Sequence, residues 1–201
     1  MDFSRDSLLK ELENTNVEYK KVIIEYTDNL LKKVLPFFYF LNHFAGILGL
    51  DLSELKTIIH NIDGYYAYYL IKKKHGGKRR IVTPYRNLKM IQTWILHEIL
   101  NKIPVHSQCK GFVKGSNTLQ NAKPHISKQY IRNFDLKDFF ESITIDRVYG
   151  VFLSLGYSPA VSFDLASLCT LKISDYKFEN LSRYKKNYFR YLHVKPQAVL
   201  A

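Results

Sequence analysis

Apolar residues in the first sixty positions recur at the spacing of amphipathic helices. The pattern begins at Leu8 and continues through residues 22–35 and 51–60, with an aromatic segment that opens at Pro36 between them. Apolar side chains repeating every three or four residues place one apolar stripe on a helix, and that stripe needs a core to pack against. We therefore predict an N-terminal helical region over residues 1–62.

From residue 65 the pattern changes to short runs that favour strands. Residues 65–73 (YYAYYLIKK) and 78–83 (KRRIVT) are rich in aromatic and β-branched residues, and His75-Gly76-Gly77 lies between them. Two such runs joined by a glycine-containing turn predict a β-hairpin. Residues 88–102 return to helical spacing.

The remaining pattern alternates between turns, one strand and further helices. In order we predict a turn-rich connection at 111–115, a short helix at 117–123, a strand at 130–134, and helices at 144–155 and 158–172. The last helix opens with Ser158-Pro159, and proline suits a first helical position. The chain is thus predicted to have an α+β fold with two domains, residues 1–62 and 63–201.

The charge of the chain indicates a polyanionic partner. Thirty Lys and Arg against eighteen Asp and Glu give a formal net charge of +12. Residues 65–80 hold six of these cations, four tyrosines and no acid, a mixture that suits phosphate contacts and base stacking. We predict that Lys72, Lys73 and Lys74 bind RNA, although the charge alone would also suit a basic protein that is only solvated or one that is attracted to anionic lipid.

The number of cysteines and the length of the apolar stretches indicate the cellular location of the protein. Cys109 and Cys169 are the two cysteines and form no CxxC pattern, which is typical of a reducing cytoplasm. The most apolar stretch, residues 34–50, contains Asn42 and His43, whereas a membrane span needs about 20 apolar residues. We therefore predict a cytoplasmic protein with no membrane partner.

The segment at 133–143, NFDLKDFFESI, is the strongest candidate for chemistry. Asp135 follows the predicted strand, and a short turn then leads to Phe140. A carboxylate at a strand end can hold Mg²⁺ beside a nucleotide. A solvated turn that leads into a helix cap is the competing interpretation.

Four segments in sequence order carry a resemblance to a known family. They are KKKHGGKRRIVTP at 72–84, LKMIQTWILHEILNKIPVH at 88–106, GFVKGSNTLQNAKPH at 111–125 and NFDLKDFFESITIDRVYGVFLSLGYSP at 133–159. In this order they resemble retron-type reverse transcriptases, and the run at 121–125 fits the NAxxH element of that subfamily. The resemblance implies the fingers and part of the palm of a right-hand polymerase, preceded by the N-terminal helical region.

The resemblance also implies roles for residues around Asp135. Asp135 corresponds to the catalytic carboxylate and, with Leu136, to the Mg²⁺ ligands. Phe140 corresponds to the aromatic gate that stacks under the sugar and excludes a 2′ hydroxyl, although plain packing is the alternative. Lys78, Arg79 and Arg80, together with Leu136, correspond to residues that bind the incoming deoxynucleoside triphosphate.

Two further expectations concern the basic hairpin and the NAxxH element. Side chains alternate along a strand, so Lys78 and Arg80 share one face and Arg79 takes the other; the resemblance favours Arg79 as the triphosphate ligand. Asn121 and His125 are expected to contact a structured noncoding RNA, with a structural role for this loop as the alternative.

One feature of the family has no counterpart in this sequence. Reverse transcriptases carry a second carboxylate pair, and the 201 residues contain no Asp-Asp dipeptide. Asp146, Asp164 and Asp175 lie in different sequence surroundings. Pro196-Gln197 is either the family's Pro-Gln-Gly motif without its glycine or the residues leading into it. We therefore expect a truncated chain with an incomplete palm and very low activity alone.

Two function classes follow. The first is a retron-type RNA-directed DNA polymerase that acts on a structured noncoding RNA with deoxynucleoside triphosphates and Mg²⁺, serves in antiphage defence and works with an effector protein. The alternative is a noncatalytic RNA-binding remnant of such an enzyme. An unrelated basic α+β protein is disfavoured by the ordered run of motifs.

Overall fold

A computed structural model of the chain describes most of its length. The described residues are 5–72, 74, 76, 78–136, 139–172 and 197–199. Within them the fold is helix-rich and contains two small antiparallel sheets. The expected mixed helix and strand content is confirmed at this level.

Eight α-helices lie within the described ranges. They are α1 (Arg5–Glu11), α2 (Val17–Lys32), α3 (Leu41–Leu48), α4 (Leu52–His60), α5 (Arg86–Glu98), α6 (Thr118–Ala122), α7 (Ile145–Leu155) and α8 (Pro159–Cys169). Side-chain caps begin several of them: the Asn16 side chain accepts the N–H of Glu18, and that of Ser158 accepts the N–H of Val161. None of the helices in these ranges has the length and apolar character needed to cross a membrane.

The described residues contain four strands, which form two pairs. They are β1 (Tyr66–Lys72), β2 (Lys78–Pro84), β3 (Thr170–Lys172) and β4 (Gln197–Val199). β1 pairs with β2 in an unbroken register from Tyr66↔Pro84 to Lys72↔Lys78, which confirms the predicted hairpin. β3 pairs with β4 across a long stretch of sequence.

The core is built around an aromatic cluster that joins the two halves of the chain. The Phe38 ring stacks on Phe44 with centroids 4.5 Å apart and lies 5.6 Å from the ring of Tyr157. Trp94 of α5 meets Phe44 edge-on at 5.3 Å. Core side chains therefore come from both sides of residue 62, and the division into two domains at that position stays a prediction.

Two predicted element boundaries were wrong. The aromatic segment that opens at Pro36 has no regular secondary structure as far as Phe40, and the helix begins only at Leu41. Phe37 and Phe38 of this segment both belong to the core, where they are 7 % and 2 % exposed. The helix predicted to reach residue 172 ends at Cys169, because the next three residues pair with β4 as a strand.

The strand predicted at residues 130–134 is also absent. This part of the chain is described, and it has no regular secondary structure. A strand is stabilised by backbone hydrogen bonds to a neighbour, and none of the four described strands pairs with this segment. Tyr130 and Phe134 are 82 % and 87 % exposed, so the alternating apolar pattern meets no core.

Candidate nucleotide and nucleic-acid interface

Asp135 lies in an irregular and exposed segment. Its neighbours Phe134 and Leu136 are 87 % and 68 % exposed, and Asp135 itself is exposed. Among the described side chains Asp135 has no hydrogen bond or ion pair. Lys137 and Asp138 lie outside the described residues. The carboxylate thus faces solvent and is accessible to a ligand.

Phe140 opens a short 3-10 turn that the sequence did not predict. The turn spans Phe140–Ser142, and the Ser142 hydroxyl and N–H donate to the Phe139 carbonyl at 2.6 and 3.1 Å. The Ile143 N–H donates to the Phe140 carbonyl at 3.2 Å. These bonds hold the backbone that carries the Phe140 ring, which is 42 % exposed.

The Phe140 ring takes part in an exposed aromatic cluster. It lies 5.4 Å from Phe139 and 6.0 Å from Phe112, both in edge-on geometry. Such edge-to-face pairs are favourable because the positive edge of one ring meets the negative face of the other. Phe112 was not among the predicted site residues, since no local pattern signals a contact with a residue 28 positions later.

Phe112 also has an unusual backbone conformation. Its φ is +59°, in the left-handed region, and its side chain is 86 % exposed. A bulky residue is rare in this region because its Cβ approaches the following carbonyl. Strained residues of this kind concentrate at functional sites. The predicted turn at 111–115 is therefore present and presents an aromatic ring to solvent.

The β4 strand packs against the Phe140–Ser142 turn and against α7. Gln197 begins β4 and pairs with Lys172 of β3. Pro196 lies outside the described residues. The backbone that follows the Pro196-Gln197 pair is thus brought beside Phe140.

The predicted phosphate ligands lie on the β1–β2 hairpin. Lys78, Arg79 and Arg80 occupy β2 opposite Lys72, Ile71 and Leu70, and the structure describes their backbone. Lys72 and Lys74 are exposed, whereas Lys73 lies outside the described residues. The described contacts do not join the hairpin to Asp135 or Phe140, so the roles of these cations stay predictions.

Asn121 and His125 belong to a short helical segment. Asn121 lies in α6, and His125 ends the 3-10 turn Lys123–His125 that follows directly. The Asn117 side chain begins α6 by accepting the N–H of Gln120 at 2.9 Å. Both predicted RNA contacts are exposed, and the short helix predicted at 117–123 is confirmed.

The described residues do not fit a Mg²⁺ centre on their own. Within them no group of three His, Cys, Asp or Glu side chains is placed to share a metal ion. Asp146 lies in the first turn of α7, and Asp164 is half-buried on α8, where burial raises its pKa and His60 opposes that effect. Asp175 is outside the described residues. Two-metal catalysis needs several carboxylates, so Asp135 would have to be joined by others, and its role as a metal ligand stays a prediction.

Comparison with characterised proteins identifies relatives. No protein-family model matches the chain. Retron Ec86 reverse transcriptase of Escherichia coli is 38 % identical over 140 residues, which are 69 % of this chain and 44 % of that protein. Retron Mx65 and Mx162 reverse transcriptases of Myxococcus xanthus are 39 % and 35 % identical over 130 residues, 63 % of this chain in both cases and 30 % and 27 % of the relatives.

The matched segments cover different shares of this chain and of its relatives. The chain spans less than half the length of each of these three relatives. Several retron enzymes nevertheless match about two-thirds of the chain at similar identity. The chain therefore belongs to the retron-type reverse transcriptases and corresponds to an N-terminal part of such an enzyme.

Proposed function

We propose that this chain supplies the fingers and the first part of the palm of a retron-type RNA-directed DNA polymerase. The observation that carries the proposal is the match to several retron reverse transcriptases over about two-thirds of the chain. The β1–β2 hairpin is the proposed fingers element, and the segment from Asp135 to Phe140 belongs to the proposed palm.

Asp135 and Phe140 are the proposed centre of this activity. Asp135 is an exposed carboxylate without an ion pair among the described residues, so binding a cation would cost it no existing partner. We assign it as one of several carboxylates for Mg²⁺, next to Leu136, with the others contributed by residues outside those described. Phe140 is the proposed sugar gate, and its ring is in edge-on contact with the rings of Phe139 and Phe112.

The β1–β2 hairpin is the proposed site for the triphosphate. Lys78, Arg79 and Arg80 follow one another on β2. A single guanidinium group can bind two phosphate oxygens at once through two parallel hydrogen bonds. Opposite them on β1, Lys72 is exposed and begins the run of three lysines proposed to contact RNA. Asn121 and His125 are proposed to contact the structured noncoding RNA.

The cellular setting is proposed from coarser observations. Both cysteines are free: Cys109 is exposed, and Cys169 is buried, which raises the pKa of its thiol to about 12. Free cysteines suit a reducing cytoplasm, which we propose as the location. The role in antiphage defence and the effector protein rest on the resemblance alone.

A noncatalytic RNA-binding protein is the second candidate. It is favoured by the described residues, within which no group of three His, Cys, Asp or Glu side chains is placed to share a metal ion. The basic hairpin would serve such a protein equally well, because phosphate contacts need no catalytic metal. The two candidates differ in whether Asp135 matters for polymerisation.

Primer extension by a chimeric enzyme distinguishes the polymerase from the noncatalytic RNA-binding protein. The chain would replace the matching segment of Retron Ec86 reverse transcriptase, and DNA synthesis on an RNA template would be measured with Mg²⁺ and deoxynucleotides. We expect Asp135→Asn to lower the rate at least about a hundredfold, as losses of catalytic electrostatic groups do. Asp146→Asn is the matched control and should keep the rate.

The isolated chain belongs in the same experiment. We expect it to show no templated extension, because one carboxylate cannot assemble two metal ions. A chimera that keeps its activity with Asn at position 135 would overturn the polymerase assignment. An inactive chimera that still binds RNA would favour the second candidate.

A further inference from the structure

A cavity of about 610 Å³ lies between the end of the β1–β2 hairpin, α5 and α7, and Cys169 of α8 is among its lining residues. We call it the α5–α7 cavity. Pockets of about 300–1,000 Å³ with mostly apolar walls are of the size and type that bind small ligands. Its described lining includes none of the residues proposed above to bind nucleotide, metal or RNA. The proposed polymerase roles therefore leave this cavity unexplained.

The walls of the α5–α7 cavity are mainly apolar. Ile95 and Phe152 line it and are almost fully buried, whereas Leu96 of α5 and Val151 of α7 are 41 % and 49 % exposed. Half-exposed apolar side chains that face the same space gain free energy when a ligand removes them from water. A ligand for this cavity is therefore expected to have an apolar part.

The lining does not suit stacking on a nucleic-acid base. Phe152 is the one aromatic residue among the described lining residues, and it is 1 % exposed. A base stacks on the open face of a ring, and a buried ring offers no open face. The other apolar walls are aliphatic and suit a hydrocarbon chain better than a base.

The charged side chains of the lining have one sign. Lys89 and Arg147 are exposed, have no ion pair within the described part of the chain, and are accompanied by no carboxylate among the described lining residues. Gln92, another polar lining residue, already donates to Tyr66 and Leu168. An anionic group can therefore approach either cation without displacing an existing partner, whereas a cationic group would meet like charges.

The order of the lining residues along α5 gives the cavity a charged end and an apolar end. Lys89 is the first α5 residue in the lining, and Leu96 and Leu100 follow it along the chain. At a rise of 1.5 Å per residue, Lys89 and Leu96 are about 10 Å apart along the helix axis. We propose that the α5–α7 cavity binds a small amphiphile whose hydrocarbon chain lies along α5 and whose anionic head, a carboxylate or a phosphate, is attracted by Lys89 and Arg147. This site is independent of the proposed polymerase function.

Isothermal titration calorimetry on the 201-residue chain tests the inference. The probes are dodecanoate, dodecyl phosphate and dodecylammonium, which share one hydrocarbon chain and differ in the head group; each is kept below its micelle concentration. We expect saturable binding of at least one anion, with the negative heat-capacity change that burial of apolar surface gives. Dodecylammonium should bind at least about fivefold more weakly, because it meets two exposed cations. The tighter of the two anions identifies the head group.

A tryptophan in place of Val151 tests the location of the hydrocarbon chain. Val151→Trp should raise the dissociation constant at least about tenfold, because the indole takes the space of the chain and the buried contacts are lost. Leu153→Trp is the matched control, since Leu153 lies on the same helix, is 41 % exposed and is not among the lining residues. The control should change the constant by about twofold or less. Circular dichroism checks that both variants keep their helix content.

A second pair of variants tests the head group. Lys89→Gln with Arg147→Gln should raise the dissociation constant of the anion about threefold to tenfold and lower its preference over dodecylammonium at least as much, as expected for exposed cations. Lys56→Gln with Arg132→Gln removes one exposed lysine and one exposed arginine elsewhere, and the preference should stay within about twofold. A folding defect would weaken binding of all head groups alike, so the preference isolates the effect of charge.

Three results would overturn the inference. Neither anion could bind saturably, dodecylammonium could bind as tightly as the anions, or Val151→Trp and Leu153→Trp could weaken binding equally. Primer extension by the chimera plays no part in this test. The amphiphile site and the polymerase assignment can therefore fail separately.

Discussion

The side-chain amide of Gln92 donates a hydrogen bond to the hydroxyl oxygen of Tyr66 at 2.8 Å. The same amide nitrogen donates to the carbonyl of Leu168 at 2.9 Å. Tyr66 begins the β1–β2 hairpin, and Leu168 lies in the last turn of α8, just before β3. One side chain of α5 thus links the base of the basic hairpin to the helix that leads to the β3–β4 sheet.

Replacing this link should destabilise the protein. Gln92→Leu leaves the Leu168 carbonyl without this donor in a region where Leu168 and Tyr66 are buried. We expect a loss of about 1–3 kcal/mol in the free energy of unfolding, as for other buried polar groups that lose a partner. Urea denaturation measures it. Gln108→Leu, in an exposed turn, should change the free energy by about 0.5 kcal/mol or less, and equal losses in both variants would contradict the role given to Gln92.

Ionisation of Tyr26 at alkaline pH should lower the free energy of unfolding. Burial raises the pKa of Tyr26 to about 12 from a usual value of 10.0, and its hydroxyl donates to the Phe38 carbonyl at 3.0 Å. The folded state therefore holds this proton more tightly than the unfolded state. Its contribution to stability is fully present below pH 10 and is lost as pH rises through 12.

Comparison with Tyr26→Phe isolates this effect from the other groups that titrate in the same range. The difference in the free energy of unfolding between wild type and variant should be constant from pH 7 to 9 and shrink between pH 10 and 12. Urea midpoints at each pH provide the measurement. A difference that stays constant to pH 12 would show that Tyr26 does not titrate differently in the folded state.

The left-handed backbone at Phe112 should decide which substitutions are tolerated there. Phe112→Asn keeps a Cβ but tolerates a positive φ, whereas Phe112→Val places a β-branched residue at +59°. We expect the Asn variant to unfold at or above the wild-type temperature and the Val variant below it, with a cost of about 1–2 kcal/mol. A stability order with Val above Asn would contradict the left-handed conformation.

Alanine substitution should change the stability of the protein in opposite directions at two glycines, one inside α7 and one at its end. Gly156 has a φ of +106° and ends α7, whereas Gly150 lies inside the helix with open space where a Cβ would be. Gly156→Ala should cost about 1–2 kcal/mol from backbone strain, since the new Cβ would meet its neighbours at ordinary distances of 3.7 and 3.8 Å. Gly150→Ala should stabilise by about 0.5–1 kcal/mol. Thermal unfolding of the two variants measures both.

The helical and hairpin parts of the fold could be predicted because their signals are local. Ser158 caps α8 through the N–H of Val161, as its position before Pro159 indicated. The run His75-Gly76-Gly77 lies between two strand-forming runs, and the strands pair in register on either side of it. Each of these outcomes depends on residues within a few positions of one another.

Two of the wrong predictions share one physical cause. The apolar alternation at residues 130–134 predicted a strand, but a strand needs a neighbour, and the described chain places none beside it. Thr170–Lys172 continued a helical pattern and became a strand because Gln197–Val199 supplies a partner. Local propensity is overridden wherever a distant segment provides, or fails to provide, the hydrogen bonds.

The sequence by itself determined the α+β composition, the basic charge, the candidates Asp135 and Phe140 and the retron family, because these depend on residue type and local order. Only the tertiary structure decided that Phe112 meets Phe140, that Gln92 joins the hairpin to α8 and that β3 finds β4. Such contacts join residues 25 or more positions apart. They are set by how all the elements pack together, which no short stretch of sequence specifies.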